Sequence, residues 1–154
     1  MKSRIIILLL VVICKMSSAQ NNRWLPIFFT DYNYSHQHIL RGGLEFMLVN
    51  NTKSDSKLFL GAGYGMTIQN RHSRGLADLH LSYNDGNLLF AKVGLSEYHT
   101  YYLIGISGLN VFDLGIGYSL PHKNVSVIKQ GFTVGLTFRI TAREDVYRKL
   151  KFGF

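Results

Sequence analysis

The stretch GFTVGLTFRI, Gly131 to Ile140, decides the fold. Phe132, Val134, Leu136, Phe138 and Ile140 stand at every second position, and Thr133, Gly135, Thr137 and Arg139 stand between them. In a strand these two sets occupy opposite faces; a helix would mix them. Working backwards, Val111 to Leu120 repeats the pattern, with Phe112, Leu114, Ile116, Tyr118 and Leu120 against Asp113, Gly115, Gly117 and Ser119. The same alternation runs through Leu40 to Val49, Leu58 to Ile68, Leu76 to Tyr83, Leu88 to Ser96 and Tyr101 to Ser107. These make seven strands, and an eighth is expected within Arg23 to Tyr34, where Pro26 fits only a strand start or an irregularity. Single-chain bacterial membrane barrels use even strand numbers, with eight the minimum.

The two faces decide the class. One is apolar over nine to eleven residues in the longer strands, the length of a membrane-crossing strand. The other is Gly, Ser and Thr with isolated charges, whereas a lipocalin-like barrel would show many Lys and Glu on its wet outer face. Lipid outside and a narrow polar core inside account for both. The expectation is an all-β, eight-stranded antiparallel up-and-down transmembrane barrel of outer-membrane type over residues 20–140. Inward charges are then Arg41, Glu45, Asp78, His80, Lys92, Asp113 and Arg139. A lumen this narrow is filled by side chains, and buried charges must pair, so a salt-bridged core is expected ahead of an open pore.

Upstream, Lys2 and Arg4 precede the apolar run Ile5 to Ile13 and the small residues Ser17-Ser18-Ala19. Residues 1–19 therefore read as a signal peptide cleaved after Ala19. Ile13 before Cys14 does not suit lipoprotein processing, and the mature chain has no cysteine, which excludes disulfides and thiolate metal sites. Loss of Lys2, Arg4 and Lys15 lowers the formal charge from +8 to +5. The remaining basic residues are scattered, which with export argues against nucleic acid. No cofactor or metal is expected.

Asn84-Asp85-Gly86-Asn87 and Gly108-Leu109-Asn110 read as tight turns on the side of the termini. Residues 31–38, 69–74, 97–100 and 121–130 are expected as the opposite loops, and Asn50 to Ser56 reads as a long turn. Trp24, Tyr64, Tyr83, Tyr98, Tyr101, Tyr102 and Tyr118 fit an aromatic girdle.

Asp78-x-His80-x-Ser82 is the best catalytic constellation, since on a strand the three share a face. His80-Leu81-Ser82 resembles the His-x-Ser pair of outer-membrane lipid-A deacylases, which implies a lipid-modifying hydrolase. Tyr83 stands where that family has Asn, no clear partner Glu follows, and the pair faces inward rather than to lipid. Ser96-Glu97-Tyr98-His99 is a second polar group at a strand end, and His36-x-His38 with Asp31 is a weak metal pattern. The sequons at Asn33, Asn50 and Asn124 belong to a pathway the barrel reading disfavours. In the tail, residues 141–154, Val146, Leu150, Phe152 and Phe154 suit docking on a partner or closing the barrel's end.

The mature start at Gln20 and the segments Asp113 to Leu120 and Gly131 to Phe138 resemble the small outer-membrane barrels of the Bacteroidota. Phe154 resembles the final aromatic residue read by the barrel-assembly machinery. The resemblance implies residence in the outer membrane, contact with its lipid, a protein partner in the outer membrane or periplasm, and a structural or accessory, non-enzymatic role. The hydrolase and a narrow pore are the alternatives.

Overall fold

The computed structural model describes residues 25–69, 72–122 and 128–147. The leader, Arg23, Trp24, Asn124, Leu150, Phe152 and Phe154 lie outside the described residues, as does the side chain of His72. The eight strands are β1 (Ile27–Tyr34), β2 (His38–Asn51), β3 (Ser56–Gln69), β4 (His72–Asn84), β5 (Leu89–Ser96), β6 (His99–Gly108), β7 (Phe112–Pro121) and β8 (Gly131–Ile140). Each pairs antiparallel with the next, and β8 returns to β1 with Phe28 opposite Ile140 and Tyr34 opposite Val134, closing the barrel. Closure gives every strand a partner on both sides, with β2 beyond Glu45 and β4 before Asp78 extending past β1 and β5. Pro26 stands just before β1, where a missing N–H costs no ladder bond.

Several strands run further than periodicity suggests. β2 reaches Asn51 and β3 starts at Ser56, so the long turn shortens to residues 52–55. A bulge between Met47 and Val49 absorbs the extra residue. The Asn51 side-chain oxygen then accepts the backbone N–H groups of Lys53 (3.0 Å) and Ser54 (3.4 Å). Residues 31–34, expected in a loop, belong to β1, and His99 and Thr100 belong to β6. The turn after β6 is tight, as its composition indicates. Leu109 and Asn110 both have positive φ, 55° and 59°, and Val111 N–H donates to Gly108 C=O at 2.9 Å. That is the primed hairpin turn, whose twist matches the strands.

Exposure alternates along the strands, with β1, β5 and most of β8 strictly in step. The outer face is apolar: Ile104 is 61% exposed, Ile116 66% and Phe132 83%. The nine charged residues of the strands are Asp31, Arg41, Glu45, Lys57, Arg74, Asp78, Lys92, Asp113 and Arg139, and all stand at inward positions. Eight are buried; Arg74, near the loop end of β4, is exposed. The wall's outward positions in these strands carry no Asp, Glu, Lys or Arg.

Glycines make the narrow lumen possible by leaving space for rings. A Cβ on Gly94 would collide with the Tyr101 ring, and one on Gly61 would collide with the imidazole of His80. Each ring lies against a neighbouring strand where a side chain is missing, so the glycine face of the sequence holds aromatic and charged groups larger than the wall otherwise accepts.

Candidate functional site

The lumen is the place where chemistry-bearing side chains converge. Its middle is a continuous network. Arg41 on β2 bonds Asp78 on β4 through Nη1 (2.6 Å), and its Nη2 lies 2.7 Å from Asp31 on β1. Asp78 Oδ2 faces His80 Nδ1 at 3.0 Å, and the opposite ring nitrogen, Nε2, faces Glu45 Oε1 at 2.8 Å. Glu45 also accepts from Arg139 Nε at 2.5 Å, and Arg139 Nη1 pairs with Asp113. Lys92 Nζ donates to Thr137 Oγ1 (2.6 Å) and stands 3.7 Å from Asp31 Oδ1, which accepts from the same threonine at 2.9 Å. All these ionic side chains are fully buried.

Four carboxylates, Asp31, Glu45, Asp78 and Asp113, meet three permanent cations, Arg41, Lys92 and Arg139. His80 lies between two of those carboxylates, which accept hydrogen bonds and cannot donate them. Two cations also lie over rings: Arg41 is 4.3 Å from the Tyr101 centroid and Arg139 4.9 Å from that of Phe59.

Towards the tail end the network becomes neutral. Asn84 Nδ2 donates to Ser107 Oγ (2.6 Å), Asn110 Oδ1 (3.1 Å) and Asp113 Oδ1 (3.1 Å). Asn110 Nδ2 in turn donates to the backbone oxygen of Val146 at 3.0 Å. Both asparagines come from turn sequences, yet their amides point inward.

Among the described residues, each mouth is covered by an aliphatic side chain from outside the strands. At the tail end Val146 packs with Ile27 and Phe59, with Met47 beside them. At the loop end Ile128 packs with Ile39 and Leu76, with Tyr98 against them. The polar core therefore lies between two apolar lids, in surroundings where an ion pair is stronger than in water.

The structure places Arg41, Glu45, Asp78, His80, Lys92, Asp113 and Arg139 together in this core. It does not bring His80 and Ser82 together as a catalytic pair. Ser82 Oγ donates to Asn84 Oδ1 (3.3 Å) and accepts from Arg139 Nη2 (3.2 Å), while both His80 nitrogens face carboxylates. Ser96 bonds His99 Nδ1 at 2.6 Å, but its oxygen also accepts the N–H groups of Tyr98 and His99, so the hydroxyl organises the hairpin.

Asp31 is not a loop ligand beside His36 and His38; strand alternation turns it inward, and no group of three metal-binding side chains occurs among the described residues. Tyr101 is no girdle residue either. The outward positions of β6 are even-numbered, so Tyr101 is buried and donates to Asp78 at 3.2 Å. Tyr98 sits in a connection and covers the lumen instead. The alternation of Phe29, Asp31 and Asn33 carried the signal for Asp31. The alternation of Asp78, His80 and Ser82 likewise reaches Asn84, whereas no comparable signal marks Asn110 in its turn.

In the tail, Arg143 pairs with Asp145 at 2.6 Å, and Tyr147 Oη accepts the N–H of Thr141 (2.8 Å) and donates to its C=O (2.9 Å). The hydrogen bond from Arg143 holds the Asp145 carboxyl below its ordinary range. Comparison with protein families, with curated proteins and with solved structures finds no match for this chain.

Proposed function

We propose that this chain is an outer-membrane β-barrel with a structural or accessory role, exported by its leader and embedded in lipid through its wall. The observation that carries the reading is the sorting of charge. Every charged strand residue stands on the inward parity, while the exposed wall is mostly Leu, Ile, Val, Phe, Tyr and Met with small residues. In water such a wall would be an association hazard; in lipid it is the required surface. Phe132 to Ile140 rises about 26 Å along the strand, or roughly 20 Å along the normal at a tilt of about 40°, close to the apolar band of such barrels.

The filled lumen favours a body that works through its surfaces over a conduit. Its partners are outer-membrane lipid, a protein of the outer membrane or periplasm, and the assembly machinery during biogenesis. The lipid-modifying reading requires a His80–Ser82 pair, and the two side chains are engaged elsewhere.

Fractionation of expressing cells tests this reading. The expected result is recovery with outer membranes, extraction only with detergent, slower gel migration after boiling than before, and flat conductance traces in planar bilayers. Recovery in the aqueous fraction without detergent overturns the membrane reading. Stepwise conductance overturns the closed lumen. Proteins retained with the barrel through detergent purification identify the accessory role.

A further inference from the structure

The barrel closes without its tail. β8 ends at Ile140, already opposite Phe28 of β1, so no ladder bond of the wall requires the residues beyond Ile140. Residues 141–147 form a compact unit with its own internal bonds: Arg143 to Asp145, Tyr147 to Thr141, and Val146 N–H to Arg143 C=O at 3.4 Å. That unit sends one aliphatic side chain, Val146, into the lumen, and it is tied to the barrel by the bond from Asn110 to its backbone and by one from Thr141 Oγ1 to Pro26 C=O at 3.5 Å. Directly behind Asn110 lie Asn84 and Asp113, the end of the ionic core.

We propose that residues 141–147 are a detachable latch, which seats Val146 over the tail-end mouth and releases it while the eight strands stay closed. Seating seals Asn84, Asn110 and Asp113 from water. Release opens the floor of the core and leaves the apolar seat of Ile27 and Phe59 uncovered. A unit that keeps its own bonds when it leaves needs no refolding to return. The latch concerns the barrel's own mouth and does not depend on what surrounds the wall.

Cysteine accessibility in the full-length chain tests it, with Cys14→Ser as the background so that the introduced thiol is unique. Three positions are compared in detergent-held folded barrel, using a small water-soluble thiol reagent: Val146→Cys in the seat, Glu144→Cys on the exposed tail, and Thr137→Cys deep in the core. The latch predicts an intermediate rate at Val146→Cys, well below Glu144→Cys and well above Thr137→Cys. Adding Asn110→Gly, which keeps the positive φ of that position but removes the bond to Val146, should speed Val146→Cys roughly fivefold, the population change one neutral hydrogen bond commands. The rates at the other two positions, and the gel mobility of the unboiled barrel, should not change. A Val146→Cys rate equal to that of Thr137→Cys in both backgrounds makes the segment a fixed plug and overturns the proposal. A rate equal to that of Glu144→Cys means that the residue is not seated, and overturns it equally.

Discussion

Arg139 on β8 and Glu45 on β2 meet in the lumen across β1, their Nε–Oε2 distance 2.5 Å, although 94 residues separate them in the chain. The pair therefore forms only when the barrel has closed, and it ties the last strand to the second. Arg139 also serves Asp113 and Ser82, so its loss strands more than one acceptor.

Breaking this pair is expected to be among the most damaging single changes. Glu45→Gln should cost about 3–5 kcal/mol, the usual penalty for leaving a buried charge without its partner. Arg139→Met should cost at least as much. Urea titration of the barrel folded into detergent or lipid checks this, and a loss below about 1 kcal/mol for both variants would mean that the core is hydrated.

His80 and Ser82 are expected to act as structural residues. Ser82→Ala should lower stability by about 1 kcal/mol, the worth of an ordinary hydrogen bond, and leave the acylation pattern of the cell's outer-membrane lipid unchanged. His80→Leu should cost several-fold more, because Asp78 and Glu45 lose the imidazole that stands between them. Mass spectrometry of extracted lipid is the decisive measurement: an acyl-chain change that disappears with Ser82→Ala revives the hydrolase.

The wall can be probed by depth. Ile104→Arg, in the middle of β6, should destabilise the lipid-embedded barrel by about 2–4 kcal/mol, while Phe132→Arg at the loop end of β8 should cost about 0–1 kcal/mol. Equal, small effects at both positions would argue that no lipid surrounds the wall.

The turn after β6 holds a correctable strain. Leu109 has φ of 55°, a left-handed conformation that costs a residue with a Cβ about 1–2 kcal/mol. Leu109→Gly should raise stability by roughly 0.5–1 kcal/mol after allowing for glycine's extra freedom in the unfolded chain. A drop of that size instead would assign a packing role to the leucine side chain.

Most of the architecture was legible in the pattern. β8 runs from Gly131 to Ile140, as its alternation indicated, and the even-numbered apolar residues of β6, β7 and β8 face out. Ends were less legible. β2 continues through a bulge that shifts the parity of Leu48 to Asn51, and periodicity cannot anticipate an inserted residue. Tyr101 and Asp31 went astray because an aromatic near a strand end and an acid near a loop are ambiguous until the parity of the strand is followed to its last residue.

The sequence by itself determined which side of the wall each residue faces, because a strand turns successive side chains to opposite sides and the charges within each of these strands share one parity. It also limited what the lumen holds: charges and small residues, with large apolar side chains such as Phe29, Phe59 and Phe90 among them. The tertiary structure alone decided who meets whom. Glu45 reaches both His80 and Arg139, Asn84 reaches Asn110, and Val146 returns to Ile27 and Phe59. The reason is physical: alternation fixes a direction within one strand, whereas register and closure fix the height at which strands far apart in sequence place their side chains.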